Sequence, residues 1–382
     1  MNAIGIYIHI PFCTYQCPFC AFSTVQYSKT LLDDYLNAVK QELHCHPELP
    51  TLKGRTLGSI YLGGGTPSLI PPQKLQEVLD VCRNLFNVSD DLEITLEATP
   101  ESTHPTKILA YRKIGVNRLS VGVQSFSDHE LKLLGRKHTA AQTKQAVRHA
   151  RESGFSNISL DLIYGLPHQS LDQWHQNLEE AILLSPEHVS VYGLTLEEGT
   201  LFYNSHEAGC LVFPHEETQA AMYTEACVYL AQNGYAQYEI SNFAKPGYES
   251  RHNLIYWTDG DYLGLGASAH SHLNGRRLAN CFDPQEYVHR IFTEDNAVIE
   301  TEHLTPEEKV REAIAFGLRR TNGLNLQTII QHYKIDPPQF FYKKLSDLQA
   351  QGLLTFSSDK KLRLTSKGLL VADELAATLM SA

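Results

Sequence analysis

The sequence lacks long apolar runs and any excess of positive charge. No stretch reaches the roughly 18 consecutive apolar residues that a membrane-spanning helix needs. The opening MNAIGIYIHI has neither the basic start nor the long apolar core of a signal peptide. Lys and Arg number 32 against 43 Asp and Glu, and no basic run stands out. The charge therefore gives no support for a nucleic-acid partner.

Cysteine is also scarce, with eight in 382 residues and no spacing typical of a disulfide scaffold. Five of them, Cys45, Cys82, Cys210, Cys227 and Cys281, are scattered along the chain. The other three form the cluster FCTYQCPFCAF over residues 12–22. We expect a reducing, cytoplasmic location in which thiols bind metals rather than form bridges.

Six short β-rich runs alternate with helical patterns over the first 200 residues. The predicted strands are 4–10, 57–65, 92–100, 116–126, 155–167 and 186–200. Such alternation predicts a parallel sheet with helices outside. Six units favour an α/β fold with a partial (β/α)₆, TIM-like barrel, whose site would lie at the carboxyl ends of the strands.

Three segments are predicted. Residues 1–205 form the partial barrel, and residues 206–300, rich in Gly, His and aromatic residues near 251–275, extend it. Residues 301–382 change to a helix, helix, helix, hairpin, helix pattern, which favours a small helical domain resembling a winged helix. That fold is usually associated with DNA, so a DNA-binding redox regulator is a third functional hypothesis, which the acidic charge disfavours.

Polar and glycine residues collect where the predicted strands end. The cysteines follow strand 1, Gly63–Gly65 and Thr66 follow strand 2, and Glu97 ends strand 3. Gln124 follows strand 4, and Asp161 lies near the end of strand 5. Because these ends share one rim of a barrel, we expect the residues to form one site.

Cys13, Cys17 and Cys20 have the spacing C-x₃-C-x₂-C. Three thiolates with a vacant fourth position suit a [4Fe–4S] cluster. Two alternatives stand beside it: a zinc site with His9 as fourth ligand, and three unrelated buried cysteines.

The cluster motif resembles that of the radical S-adenosylmethionine (SAM) superfamily, and GGGTP at 63–67 resembles the glycine motif of that family. The resemblance implies that the amine and carboxylate of SAM bind the open iron. It also implies that an electron from the cluster cleaves the sulfonium and gives a deoxyadenosyl radical. Phe19 would flank the adenine.

A closer resemblance is to the oxygen-independent coproporphyrinogen III oxidase (HemN) group, which includes HemW. It rests on YIHIPFCTYQCPFCAF, YLGGGTPS, ITLEATPES, NRLSVGVQSFSDHELKLLGRKHT and ISLDLIYGLPHQ, and it covers essentially the whole chain. The resemblance implies SAM contacts at Tyr7, Phe19, Gly64, Gly65, Thr66, Glu97, Gln124, Arg136 and Asp161. The alternative for each is a structural polar residue.

Two departures from the dehydrogenases of this group favour HemW. The dehydrogenases carry a fourth cysteine where this chain has Phe22, and a long segment before the barrel, whereas strand 1 here begins almost at Met1. HemW members resemble this chain in the motif H-N-x-x-Y-W, present as His252, Asn253, Tyr256 and Trp257. The implied function is a haem chaperone that binds haem and delivers it to apo-haemoproteins. A coproporphyrinogen III dehydrogenase is the alternative, so the resemblance leaves enzymatic activity open.

The side chains of this motif are of types that can bind haem. His252 could ligate the iron, Tyr256 and Trp257 could pack on the porphyrin, and Arg251 could meet a propionate. His252 could equally be a structural hydrogen-bonding residue, and His270 and His272 are rival ligands. The resemblance also leaves open a homodimer and peripheral membrane association with acceptors.

Overall fold

The structure is a computed structural model that describes residues 3–337, 339–357 and 361–381. The strands are β1 Ala3–Ile10, β2 Phe12–Cys13, β3 Val25–Gln26, β4 Thr56–Gly64, β5 Asn87–Ala98, β6 Arg118–Gln124, β7 Ile158–Tyr164, β8 His188–Gly193, β9 Ala236–Glu239, β10 Asn242–Ala244, β11 Tyr262–Leu265, β12 His270–Leu273, β13 Arg276–Asn280, β14 Val298–His303, β15 Leu354–Phe356 and β16 Leu362–Leu364. The helices are α1 Lys29–Cys45, α2 Leu49–Leu52, α3 Pro72–Leu85, α4 Pro105–Lys113, α5 Asp128–Leu133, α6 Ala140–Glu152, α7 Leu171–Leu183, α8 Leu201–Glu207, α9 Glu216–Gln232, α10 Arg251–Trp257, α11 Pro284–Glu294, α12 Pro306–Gly317, α13 Leu326–Tyr333, α14 Gln339–Ala350, α15 Ser366–Leu369 and α16 Ala372–Met380.

Six parallel strands form the centre of one large sheet. Their order is β1, β4, β5, β6, β7 and β8, and each pairs in parallel with the next. These are the six strands predicted from the sequence, and the α/β class is confirmed. Since parallel strands all end on the same side, residues that follow them meet along one rim.

The region after residue 205 continues the same sheet at both edges. Strand β11 pairs in parallel with β1, and β12, β13 and β14 follow as antiparallel neighbours. At the opposite edge β10 and β9 add antiparallel to β8. The predicted extension thus contributes six strands to the sheet, while the boundaries at residues 205 and 300 stay predictions.

Local sequence explains why the flanking helices begin where they do. Helices α6 and α7 begin at capping boxes. The Thr139 and Ser170 hydroxyls accept from backbone N–H groups, and the side-chain oxygen of the glutamine three residues later accepts from the Thr139 or Ser170 N–H. The apolar face of α7 packs on the sheet through the fully buried Trp174, whose ring lies against Tyr164 of β7 and whose indole N–H donates to the Met222 carbonyl oxygen at 2.8 Å.

The C-terminal segment has a second hydrophobic core of its own. Helices α12, α13 and α14, the hairpin β15–β16 and helices α15 and α16 follow in the predicted order. Ile314, Phe341 and Leu379 are completely buried at the centre of this core.

Candidate cofactor site at the strand ends

The three clustered cysteines lie on a loop that leaves the end of β1. Cys13 ends β2, which pairs with β3. The Cys20 N–H donates to the Cys17 carbonyl oxygen at 3.1 Å and closes a tight turn. The Phe202 N–H of α8 donates to the Pro18 carbonyl oxygen at 3.0 Å and fixes the tip of the loop. The loop is therefore held at both ends of the cysteine cluster.

All three cysteines line one cavity of about 440 Å³, here called the main cavity. Eight other predicted site residues also line it: Phe19, Gly64, Gly65, Thr66, Glu97, Gln124, Arg136 and Asp161. Phe22 lines it as well. The structure therefore brings together eleven of the thirteen predicted site residues, and Tyr7 and His252 lie outside this lining.

The surroundings of the sulfur atoms fit an iron–sulfur cluster. Burial raises the pKa of the Cys13 and Cys20 thiols, so their thiolates need a compensating cation. Thr66 Oγ1 lies 3.6 Å from Cys13 Sγ, and Arg136 Nη1 lies 3.6 Å from Cys17 Sγ. Donors placed against the sulfurs are typical of cluster sites.

His9 does not complete a zinc site in this structure. The Tyr7 hydroxyl lies 3.1 Å from His9 Nδ1, and the Ser23 carbonyl oxygen lies 3.0 Å from His9 Nε2. Because both ring nitrogens are engaged and the ring is buried, the geometry favours a three-cysteine site with an open position.

The glycine motif brings backbone close to the cysteine loop. A Cβ on Gly65 would lie 2.8 Å from the Phe12 carbonyl oxygen and 3.0 Å from Cys13 Sγ. Gly64 has φ of 111°, and a Cβ there would meet the His9 ring at 2.6 Å. Only glycine fits at either position.

Glu97 and Asp161 form an acidic wall of the main cavity. Glu97 accepts from the Tyr61 hydroxyl at 2.9 Å and from the Gly64 N–H at 3.1 Å. Burial, reinforced by the neighbouring Asp161, raises the pKa of Glu97 to about 7. Burial also raises the pKa of Asp161, which accepts from the Ser120 hydroxyl. Such a wall suits an ammonium or sugar hydroxyls.

Gln124, at the end of β6, and Arg136, in the loop after α5, also line the main cavity. Arg136 Nη2 donates to the Gly122 carbonyl oxygen at 3.2 Å, while its buried Nε has no hydrogen-bond partner within the described residues. Gln124 has φ of 65°, an uncommon conformation for a residue other than glycine. Strained residues of this kind collect at binding sites.

Arg118, which was not predicted from the sequence as a site residue, lines the same cavity. Arg118 is only 1% exposed, and neither Nε nor Nη1 finds a hydrogen-bond partner in the described part of the chain. A buried guanidinium with free donors is a ready partner for a carboxylate. The sequence does contain a signal for this residue, because a charged arginine is unusual in a predicted strand of a buried parallel sheet.

Two predicted aromatic contacts occupy different places. Phe19 lies at the cavity wall with its ring 6.2 Å from that of Phe202. Tyr7 lies beside Tyr61, its register partner on β4, with the two rings stacked at 6.1 Å, and of the two Tyr61 lines the main cavity. Tyr7 instead lines a neighbouring cleft.

His252, near the start of α10, lies against side chains of β1 and β4 and is 1% exposed. Its Nδ1 lies 2.9 Å from the Ser59 hydroxyl, and its Nε2 lies 2.9 Å from the Tyr256 hydroxyl. Burial, with the nearby Arg118 charge, lowers the pKa of His252 to about 3. Ligation of haem through His252 would require breaking one of these bonds, so the geometry favours the structural role, and ligation stays a prediction.

The other members of the motif region are also engaged. The Trp257 ring meets Phe316 of α12 edge to face, with centroids 6.3 Å apart, and Arg251 pairs with Asp91 at 2.6 Å. His272 is buried beside Asp259 and Glu312, whereas His270 is exposed. Of the candidate haem ligands named from the sequence, His270 is thus the exposed one.

Comparison with known proteins agrees with this geometry. The radical SAM superfamily pattern matches residues 7–181, and the HemN C-terminal domain pattern matches residues 304–371. The chain is 37% identical to the heme chaperone HemW of Bacillus subtilis (strain 168), across 97% of each chain. It is 40% identical to the heme chaperone HemW of Escherichia coli (strain K12), across 70% of this chain and 69% of that one.

Among solved structures, the coproporphyrinogen III oxidase HemN of Escherichia coli, a radical SAM enzyme, is similar with a TM-score of 0.85. The match has 26% identity and covers 99% of this chain and 90% of that one. Across the residues that the structure describes, no helix is both long and apolar enough to cross a membrane.

Proposed function

The chain belongs to the radical SAM superfamily and, within it, to the HemW family, and we propose that it is a haem chaperone that binds haem and delivers it to apo-haemoproteins. The observation that carries this proposal is the end-to-end similarity to HemW proteins. Phe22 supports it, because the dehydrogenases of this group resemble the chain but have a cysteine at that position.

The main cavity would hold the cofactors. Cys13, Cys17 and Cys20 would bind a [4Fe–4S] cluster. When bound, the cluster would supply one iron with an open position for SAM and would serve as the source of one electron. Gly64 and Gly65 let the backbone approach the methionyl group, and Thr66 keeps its hydroxyl against Cys13. Residues Phe19, Glu97, Gln124, Arg136 and Asp161 would bind SAM, and Tyr7, whose ring stacks beside that of Tyr61, stays a predicted SAM contact.

The charges of the cavity suit SAM. Glu97 and Asp161 offer negative charge to an ammonium or hydrogen bonds to ribose, and Arg136 can meet a carboxylate. Because burial makes Glu97 easier to protonate, a cation bound beside it would draw out its proton. SAM binding would thus be coupled to proton release at Glu97.

The direct test is haem binding and haem transfer by the cluster-loaded protein under anaerobic conditions. We expect one haem to bind per chain in a titration, and bound haem to pass to apomyoglobin used as a generic acceptor. Titration with and without SAM shows whether SAM controls haem release. A protein that binds no haem in either state would overturn the proposal.

The alternative, coproporphyrinogen III dehydrogenase, is favoured only by the structural similarity to HemN. An anaerobic assay with coproporphyrinogen III, SAM and a reductant separates the two functions. We expect no protoporphyrinogen, because Phe22 stands where the dehydrogenases have their fourth cysteine.

A cytoplasmic location completes the proposal, supported by the bacterial HemW relatives. The homodimer and the peripheral association with membrane-bound acceptors stay predictions from the resemblance. Fractionation of cells and light scattering of the purified protein test these points.

A further inference from the structure

We propose that haem binds in a second cleft beside the cysteine loop, with His270 as its axial ligand. The cleft, here called the aromatic cleft, has a volume of about 370 Å³ and is lined mainly by Tyr7, Phe22, Tyr256, Tyr262, His270 and Phe282. The proposal rests on the haem-binding function given above and adds the place and the ligand.

The hydrogen bonds around the cleft single out His270. His9 also lines the cleft, but both of its ring nitrogens are engaged, as are both nitrogens of the nearby His252. His270 Nδ1 lies 3.2 Å from the Ser268 carbonyl oxygen. A carbonyl oxygen can only accept, so Nδ1 carries the proton and the lone pair stands on Nε2. This is the tautomer that metal-binding histidines adopt when a carbonyl orients the ring.

His270 is also placed where a large ligand can reach it. It begins β12, its side chain is exposed, and Nε2 has no hydrogen-bond partner among the residues that the structure describes. His270 therefore offers an unprotonated Nε2, free of hydrogen bonds to the described residues, at the mouth of an aromatic cleft.

Two exposed phenylalanines supply apolar surface for a flat ring. Phe22 is 67% exposed and Phe282 is 63% exposed, although large aromatic side chains are usually buried. The Ser23 hydroxyl donates to the Phe282 carbonyl oxygen at 2.9 Å and holds the two segments together. Covering both rings with a porphyrin would remove apolar surface from water, which favours binding.

The rear wall of the cleft is rigid and aromatic. The rings of Tyr256 and Tyr262 meet edge to face, with centroids 4.7 Å apart. No lysine or arginine lines the described part of the cleft. The propionates would then point to solvent, and a haem held by one imidazole and two exposed rings would stay accessible for transfer to an acceptor.

The aromatic cleft also connects to the main cavity. Ala21 and Phe22 line both spaces, and Phe22 follows the cluster ligand Cys20 by two residues. A shift of the cysteine loop would therefore move one wall of the haem site. This shared wall gives a physical route by which the cluster and SAM would alter haem affinity.

The test is titration of ferric haem into the cluster-loaded protein and its His270→Ala variant, followed by absorption and electron paramagnetic resonance spectra. We expect the variant to lose the imidazole-ligand signature and to bind haem about tenfold or more weakly, the ratio that corresponds to ~1.4 kcal/mol. Added free imidazole should restore the signature in His270→Gly. Phe282→Ala should weaken binding but keep the signature.

His289→Ala, an exposed histidine on α11, is the matched control and should behave as wild type. Iron and labile sulfide are measured in every variant to show that the cluster is intact. Unchanged spectra and affinity in His270→Ala would overturn the ligand assignment while leaving the chaperone function intact, as would loss of the signature in His252→Ala alone. Absence of haem binding in the wild type would instead overturn the proposed function and this site with it.

Discussion

At the scale of single residues, the main cavity combines groups that are unstable alone but suited to charged ligands. Arg118 is buried with no hydrogen-bond partner for Nε or Nη1 among the described residues, and Glu97 and Asp161 are acids whose pKa values burial raises. Groups perturbed in this way are typical of binding sites. Burying these groups lowers the stability of the protein when no cofactor is bound to them.

Glu97→Gln should change how stability depends on pH. The pKa of Glu97 is about 7 in the folded chain and 4.5 in the unfolded chain, so the folded state holds an extra proton between these values. Its contribution to stability is full below pH 4.5 and is lost as pH rises through 7. The glutamine variant should equal wild type near pH 5 and exceed it at pH 8, by ~1–3 kcal/mol.

Urea unfolding of the cofactor-free protein at several pH values measures this difference. Glu300→Gln removes an exposed charge on β14 and shows the effect of net charge alone. A Glu97→Gln curve parallel to that of wild type would contradict the prediction.

Gly65→Ala should displace the cysteine loop. The new Cβ would lie 2.8 Å from one carbonyl oxygen and 3.0 Å from Cys13 Sγ, and the backbone contact cannot be relieved by a rotamer change. We expect a large loss of bound iron after reconstitution. Gly154→Ala is the control, because Gly154 has φ of 87° but no atom within 4 Å of the new Cβ. It should lower the melting temperature yet keep its iron, and equal iron in both variants would refute the steric argument.

At the scale of elements, buried polar ties fasten the added strands to the barrel. Glu42 of α1 is buried, and its carboxylate accepts from the Tyr287 hydroxyl at 2.6 Å, the Asn280 amide at 2.6 Å and the Gly266 N–H at 2.8 Å. One side chain thus joins α1 to α11, to β13 and to the turn after β11. These contacts hold the wall that carries His270 and Phe282.

Glu42→Ala should destabilise the protein by about 3 kcal/mol or more, because it leaves several buried donors without an acceptor. Glu77→Ala is the matched control, since Glu77 of α3 also ties α1, through an exposed ion pair with Lys40 at 2.6 Å. Exposed pairs contribute ~0–1 kcal/mol, so its effect should be small. Denaturant unfolding measures both, and equal losses would show that the buried network has no special role.

The same elements show what the sequence could and could not predict. The six central strands were all predicted, because apolar or alternating β-rich runs such as Ile4–Ile10 alternate with helical patterns along the chain. Their bounds were less accurate, since the sixth was predicted over 186–200 and spans His188–Gly193. Strands β11, β12 and β13 have only four or five residues each and were missed. The burial of His252 was also beyond prediction, because it depends on Ser59, 193 residues away in the chain.

The site residues, too, were predicted where strand order decides their position and not where it depends on packing in three dimensions. Residues at the ends of parallel strands were predicted together, since strand direction alone brings them to one rim. The contact of Tyr7 with SAM stays a prediction, because Tyr7 lies beside its register partner Tyr61 and lines the neighbouring cleft rather than the main cavity. Arg118 was missed because its missing partners are visible only in three dimensions.

At the scale of the whole molecule, the two hydrophobic cores meet through a polar and aromatic joint. Arg277 of β13 pairs with Glu312 of α12, and the Thr321 hydroxyl donates to the Gln237 carbonyl oxygen at 2.6 Å. The H-N-x-x-Y-W motif spans this joint, since His252 bonds to β4 while Trp257 packs on α12. The motif therefore links the barrel, whose strand β4 leads to Gly64 and Gly65, with the C-terminal segment.

Trp257→Ala should loosen the C-terminal segment without disturbing either binding site. The Trp257 ring lies 4.6 Å from the Arg319 guanidinium and 6.3 Å from the Phe316 ring, and it lines neither the main cavity nor the aromatic cleft. Removing it deletes this aromatic and cation–π packing, at a cost of ~3 kcal/mol for a large aromatic side chain. Hydrogen exchange should become faster across α12 and α13, whereas iron content and haem spectra should match wild type. Trp257→Phe keeps a ring in the joint, so its hydrogen-exchange rates should lie between those of wild type and Trp257→Ala. Unchanged exchange in α12 would contradict the role of the joint. Loss of haem binding with exchange unchanged would show that Trp257 acts at the haem instead.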